Sequence, residues 1–208
     1  EMRRNGVFDY MNGIFQSKGL YYYARTAEGI QFYVYSNKKI DKADLSGLKL
    51  RIAPVYRDFF QQLGASVVQT APGEVYTALE RGVVDGYGWP INGIFDFNWQ
   101  EKTKYRVDPG FYSAEVSLVM NLDKWKALQQ KQKDLLMRHV VAHEAANDSW
   151  KKVNEDDIRR QAQAGIQTIT FDPATAKQYR DKAYEVAWTN LIKASPQYGP
   201  QMRKLFSR

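Results

Sequence analysis

Apolar positions along the chain repeat with two periods, and each change of period marks an element. Near the start, Phe8, Met11, Ile14 and Phe15 recur with helical spacing. The run Leu20-Tyr21-Tyr22-Tyr23-Ala24 is β-prone. After Gly29, the aromatic and β-branched stretch Ile30-Gln31-Phe32-Tyr33-Val34-Tyr35 reads as a strand, closed by Ser36-Asn37-Lys38-Lys39. Leu48-Lys49-Leu50-Arg51-Ile52 alternates apolar and basic, the pattern of a strand with one buried face. Pro54 stands where a helix can begin, residues 55–63 carry a helical pattern, and Gly64 is a C-terminal stop. Next come a short strand, Ser66-Val67-Val68, and a helix over 73–81 with Val75, Ala78 and Leu79 inward. A short buried strand, Val83-Val84-Asp85, follows Gly82. Strand and helix thus alternate, which predicts a small, mostly parallel sheet with helices on its faces.

The second half is mainly helical. A strand covers 114–120, and helix follows from Leu122. One long periodic stretch over 131–164 puts Leu135, Leu136, Val140, Val141 and Ala145 on one side, and Gly165 stops it. After a strand over 166–171, Asp172-Pro173 pairs an N-cap with a first-turn proline, and that helix runs until Ser195-Pro196. At about 150 residues per domain, a length of 208 suits neither one nor two complete units. The chain opens on Glu1 beside helical spacing, with no basic-then-apolar leader, so its start reads as cut. No apolar run is long enough to span a bilayer.

Composition narrows the function classes. With 44% hydrophobic and 25% charged residues, a disordered or collagen-like chain is excluded. The absence of cysteine excludes disulfides, thiolate metal sites and cysteine catalysis. A net charge of +7 invites a polyanion, yet Lys and Arg are scattered among acids with no dense basic run, so no nucleic-acid partner is expected. Aromatics reach 14%, which suggests a pocket or interface as well as a core.

In open α/β sheets, functional residues gather beyond the carboxyl ends of strands. Here those places are Arg51-Ile52-Ala53-Pro54, Thr70-Ala71-Pro72-Gly73 and Gly86-Tyr87-Gly88-Trp89-Pro90. Arg51 could clamp a carboxylate through parallel hydrogen bonds, or be a solvated surface arginine. Trp89 could stack on or pack over a ligand, or cap the sheet edge as core. Its phrase lacks the third glycine of a dinucleotide fingerprint. His139 and His143 share a helix face at i, i+4, but Glu144 stands after the second histidine rather than between them, and a solvated helix is the simpler reading. Asp156-Asp157 reads as a solvated face. No serine elbow, phosphate loop or calcium loop is present, so no catalytic residue, cofactor or metal is expected.

The order of phrases is more specific. Asp44-Leu45-Ser46-Gly47-Leu48-Lys49-Leu50-Arg51-Ile52-Ala53-Pro54, then Leu63-Gly64-Ala65-Ser66, then Gly73-Glu74-Val75-Tyr76-Thr77-Ala78-Leu79-Glu80-Arg81-Gly82-Val83-Val84-Asp85-Gly86 resemble the extracytoplasmic solute-binding proteins of TRAP transporters, the DctP type. The segment from Gly29 to Ile40, Lys124-Trp125 and the long helix fit as well.

The resemblance implies a two-lobed α/β fold of the periplasmic-binding-protein type II, present here mainly as the C-terminal lobe with a long helical scaffold. Residues 1–35 would be a remnant of the N-terminal lobe, 36–112 the C-terminal α/β lobe, and 113–208 a crossing strand, long helix and C-terminal helices bracing both lobes. The implied function is capture of a small carboxylate in the periplasm, dicarboxylates included, for a sodium-driven membrane permease. Arg51 matches the arginine that holds the ligand carboxylate. Trp89 stands where relatives often place a pocket asparagine, Gln31 where some carry an arginine, and Pro72 where some place a pocket aromatic. Tyr112 is a candidate wall residue. Loss of one arginine and a bulky Trp89 point to a smaller or less charged acid. The implied N-terminal lobe would precede Glu1. The alternative is a truncated, non-binding fragment that self-associates through the surface left by that lobe.

Overall fold

The computed structural model describes residues 3, 6–146 and 149–207, without the side chains of 27 and 28. Glu1, on which the expectation of a cut start rests, lies outside them. Helix α1 (Val7–Gln16) leads into strand β1 (Leu20–Ser36), then β2 (Lys49–Ile52). A 3-10 turn, Pro54–Tyr56, opens α2 (Arg57–Gln62), and β3 (Ser66–Gln69) follows. A second 3-10 turn, Pro72–Glu74, opens α3 (Val75–Glu80), and the chain returns in β4 (Gly86–Pro90). Two 3-10 turns, Ile94–Phe97 and Trp99–Lys102, lead to β5 (Tyr105–Asp108) and β6 (Tyr112–Asn121). Then come α4 (Leu122–Ala127), α5 (Gln130–Ala145), α6 (Ser149–Gln163), β7 (Gln167–Thr170), α7 (Pro173–Ala194) and α8 (Gly199–Phe206).

One sheet takes strands from all three segments, in the order β3-β2-β4-β1-β5-β7, with β6 also on β1. Pairs β2–β3, β2–β4 and β5–β7 are parallel, while β1 runs against β4, β5 and β6. The sheet is therefore mixed rather than mostly parallel. The reason is β1, which is one strand and not two. Gly29 adopts φ +78, and the irregularity between Thr26 and Ile30 is absorbed as a register shift against β6 instead of ending the strand.

Alternation along the strands builds two core layers. On one face, Val34, Leu50, Ile52 and Val107 pack against Phe59 and Phe60 of α2 and Tyr179 and Ala183 of α7. On the other, Tyr35 and Tyr87 pack against Val75 and Leu79 of α3, with Ile94 and Trp99. Arg51 lies between Leu50 and Ile52, so its side chain leaves toward this second layer.

Three further expectations change. Val83-Val84-Asp85 is not a strand: Asp85 ends a turn, its carboxylate accepting the Lys49 amide (2.9 Å) and pairing with Lys38 (2.7 Å). The strand is Gly86–Pro90 instead. The single helix over 131–164 is described as α5 and α6, with residues 147 and 148 outside the described set. Its apolar stripe is not wholly inward, because Val140 is buried while Leu135 and Val141 are about half exposed.

The cap of α7 forms as the sequence predicts. The Asp172 carboxylate accepts the amides of Ala174 (3.0 Å) and Thr175 (3.1 Å). Hydrogen bonding from Thr175 foremost, and from Ala174, holds this carboxyl below its usual range. A depressed carboxyl stabilises the fold fully above its unfolded pKa of about 3.9, and this contribution fades as pH falls through the lower folded value. Asp172→Ala is expected to melt a few degrees below the parent at neutral pH, with the gap closing in strong acid. Thermal melts monitored by circular dichroism at pH 7 and pH 3 check this.

Candidate functional site

The parallel strands β3, β2 and β4 end at one edge of the sheet. The Ile91 amide donates to the Gln31 carbonyl (2.9 Å), which brings Gln31 to the same edge. Arg51, second to last in β2, is only 5% exposed. Its Nε and Nη2 both donate to the Thr70 carbonyl just past β3, at 3.1 and 3.0 Å. The guanidinium carbon stands 5.2 Å from the centroid of the Trp89 ring. Nη1 is buried and has no hydrogen-bond partner.

Burial lowers the Arg51 pKa, and the neighbouring Tyr56 works against that shift. Burial likewise raises the Tyr56 phenol, with Arg51 opposing. The Tyr56 hydroxyl donates to the Gly88 carbonyl at 2.8 Å, so it fixes the strand that carries Trp89. No acid among the described residues pairs with Arg51. A buried guanidinium in neutral surroundings, with one nitrogen unsatisfied, has room for one more acceptor. Since one side of the fork already holds Thr70, the open side is Nη1 together with the outer hydrogen of Nη2.

Trp89 is half-buried in the second core layer, edge-on to Trp99 (4.7 Å) and Phe97 (6.0 Å). A Cβ at Gly93, which adopts φ +91, would lie 3.2 Å from its Nε1, so glycine there leaves the indole room. Trp89 supports the Arg51 guanidinium as well as packing into the layer. Pro72 is half-buried, two residues after the Thr70 carbonyl. Gln31 and Tyr112 line a separate open hollow of about 290 Å³ with Gly110, Ser113 and, from α7, Arg180 and Tyr184. Arg51 and Trp89 do not line that hollow. Tyr56 links the two places, its ring centroid 6.2 Å from that of Tyr112.

The remaining candidates go elsewhere. His143 Nε2 lies 2.6 Å from Thr26 Oγ1, and Glu144 takes two hydrogen bonds from Arg3, at 2.7 and 2.8 Å. Asp157 is not on a solvated face: it is 7% exposed and accepts from Arg160 at 2.9 Å. Asp156 pairs with Arg159.

Sequence reasoning misses Tyr56, which it counts only as helix; it marks the strand end at Thr70 but not the backbone carbonyl there, which has no side-chain signal. It also misses the buried polar pair Arg106 and Gln161, joined at 2.8 Å. The available signal was Asn154 and Gln161 at i, i+7 on one helix face.

The model of the family described as "bacterial extracellular solute-binding protein, family 7" (DctP) matches residues 5–193. Over 187 residues the chain is 29% identical to the 2,3-diketo-L-gulonate-binding periplasmic protein YiaO of Escherichia coli (strain K12), covering 84% of this chain and 56% of that protein. It is 23% identical over 172 residues to the monocarboxylate 2-oxoacid-binding periplasmic protein all3028 of Nostoc sp., covering 79% and 47%. The chain spans about half the length of these relatives. A TRAP periplasmic solute-binding protein from Desulfovibrio salexigens, solved with bound orotic acid, matches with a TM-score of 0.85 and 24% identity, over 99% of this chain and 67% of that one. Another, from Roseobacter denitrificans with bound L-galactonate, gives 0.79 and 21%, over 100% and 68%. The two-lobed periplasmic binding fold, represented by part of its length, is therefore the fold of this chain. Its family consists of solute-binding proteins and not of enzymes. With the model matching all but the last residues and the first few, the chain belongs to the DctP family, bacterial extracellular solute-binding protein family 7.

Proposed function

We propose that the chain is the solute-binding component of a TRAP transporter, holding a small organic acid in the periplasm for a sodium-driven membrane permease. One observation carries the reading: Arg51 is a buried cation with an unpartnered Nη1 and no acid beside it. The ligand carboxylate takes that place, Trp89 backs the guanidinium, and Pro72 stands next to the Thr70 anchor. Gln31 and Tyr112 stand in the separate hollow that Arg180 also lines, outside the open side of the Arg51 fork. The names of YiaO and all3028, for a keto sugar acid and for 2-oxo acids, support the same ligand class.

A panel of pyruvate, succinate, 3-hydroxybenzoate, L-galactonate and orotate, with benzamide as a neutral control, tests this by thermal shift. A true ligand at a hundred times its Kd stabilises by about 2.7 kcal/mol, enough to raise Tm by about 5–10 °C. The expected result is that at least one acid produces such a shift and benzamide none. If no acid raises Tm, the reading is lost.

A further inference from the structure

We infer that Gln161, on α6, positions the Trp89-Pro90-Ile91 segment of the acid site without touching the ligand; the ligand part of this inference rests on the acid-binding reading above. Gln161 is 1% exposed and contacts the site strand through backbone atoms just past Trp89. Its Nε2 donates to the Ile91 carbonyl at 2.6 Å and to Tyr35 Oη at 3.3 Å. Tyr35 Oη in turn donates to the Pro90 carbonyl at 3.3 Å. On the other side, Gln161 Oε1 accepts from Arg106 Nη1 at 2.8 Å, and Arg106 Nη2 reaches Thr168 Oγ1 on β7 at 3.0 Å.

The amide has one workable orientation. Arg106 offers only donors, so the atom facing it must be oxygen. The Ile91 carbonyl only accepts, so the atom facing it must be nitrogen. Glutamine supplies both at once. Glutamate and methionine have similar length but lack the donor.

The same helix holds the rest of the turn after Trp89. Asn92 Nδ2 donates to Asn154 Oδ1 at 3.1 Å, and the Arg160 guanidinium lies 4.1 Å from the Phe95 ring centroid. Asn154 and Gln161 are seven residues apart, two turns along one face. Helix α6 thus holds the segment that follows the Trp89 ring, and that ring backs the guanidinium that the Thr70 carbonyl anchors. Loosening of this segment reaches the guanidinium through the Trp89 ring.

Gln161→Glu separates positioning from folding. Its carboxylate keeps the Arg106 bond as an ion pair, which offsets part of the lost Ile91 bond, so the variant should stay folded with a Tm lower by several degrees at most. It places a negative oxygen against the Ile91 carbonyl and releases the segment. Hydrogen exchange on the whole chain should show faster amides over 91–97, with β2 and β3 unchanged. The Kd for whichever panel acid binds the parent should rise about tenfold, while Arg51→Met weakens binding at least about 30-fold in parent and variant alike. Gln161→Met, which keeps the volume but no hydrogen bond, should give the same exchange pattern without a buried carboxylate.

Unchanged exchange over 91–97 in both variants overturns the inference. So does faster exchange with a Kd within twofold of the parent, since the segment would then be held without bearing on the site. If the parent binds none of the acids, the acid-binding reading fails by itself, and the exchange pattern still decides whether Gln161 positions the segment.

Discussion

Arg51→Met is expected to weaken acid binding at least about 30-fold while leaving the fold as stable as the parent. The two halves of that result have different causes. Truncating one member of a buried charge pair costs about 2–5 kcal/mol of binding, and each 1.4 kcal/mol is a factor of ten. In the unliganded protein the balance is different. Arg51 is buried, burial disfavours its charge, and no acid pairs with it. An unpaired buried charge is itself destabilising, so an unbranched apolar side chain of similar length relieves that cost. Against this stands the Thr70 carbonyl, which loses two donors, at about 1–3 kcal/mol if it finds no water. The opposing terms are of the same size, so Tm should move little. Arg51→Lys should fall between: it keeps a charge, but one ammonium cannot both bridge Thr70 and face the ligand as a planar fork does. Calorimetric titration with the acid that shifts the parent, paired with thermal melts, reads both halves. Parent-like affinity in Arg51→Met would remove the guanidinium from the site.

Some of this is legible in the chain and some is not, for physical reasons. The strand Lys49–Ile52 and its buried face follow from alternation alone: Leu50 and Ile52 are fully buried on one side and Arg51 leaves from the other. The end of α2 at Gly64 and the cap at Asp172 are equally local, because a positive φ and an N-cap hydrogen bond are satisfied within a few residues. That Arg51 is buried is not local. Alternation says only that it faces away from Leu50, and the cover over it comes from Trp89, itself braced by Trp99. Thr70 contributes a carbonyl that any residue would have. Gln161 lies 70 positions from the carbonyl it holds, on a helix whose polar residues look solvated until the sheet is placed beside them.

The same limit explains β4 and leads to the largest expected loss of stability, in Gly86→Ala. Glycine is poor in strands by propensity, so Gly86-Tyr87-Gly88 reads as a loop and the valines before it as the strand. In the folded chain the lack of side chains is what allows β4 to fit between β2 and β1. A Cβ at Gly86 would lie 2.1 Å from the Tyr35 carbonyl oxygen, 2.9 Å from the Ser36 Cα and 3.1 Å from Leu50 Cδ2. Two of these are backbone atoms with nowhere to retreat. Tyr35 is paired on its far side with Arg106 of β5, and Leu50 is itself the β2 partner of Gly86. The added methyl must force β1 and β4 apart, against five register pairs from Phe32↔Pro90 to Ser36↔Gly86. We expect a loss of about 3 kcal/mol or more, at the upper end of overpacking, and a Tm lower by at least about 6 °C. Gly73→Ala is the matched control. Nothing lies within 4 Å of its added Cβ and its φ is not positive, so the smaller entropy of the unfolded chain should stabilise by about 0.4–1 kcal/mol. Urea unfolding of the two variants beside the parent decides the matter. If Gly86→Ala unfolds at the same urea midpoint as Gly73→Ala, β4 does not lie between β1 and β2 in this register, and the placement of Trp89 beside Arg51 falls with it.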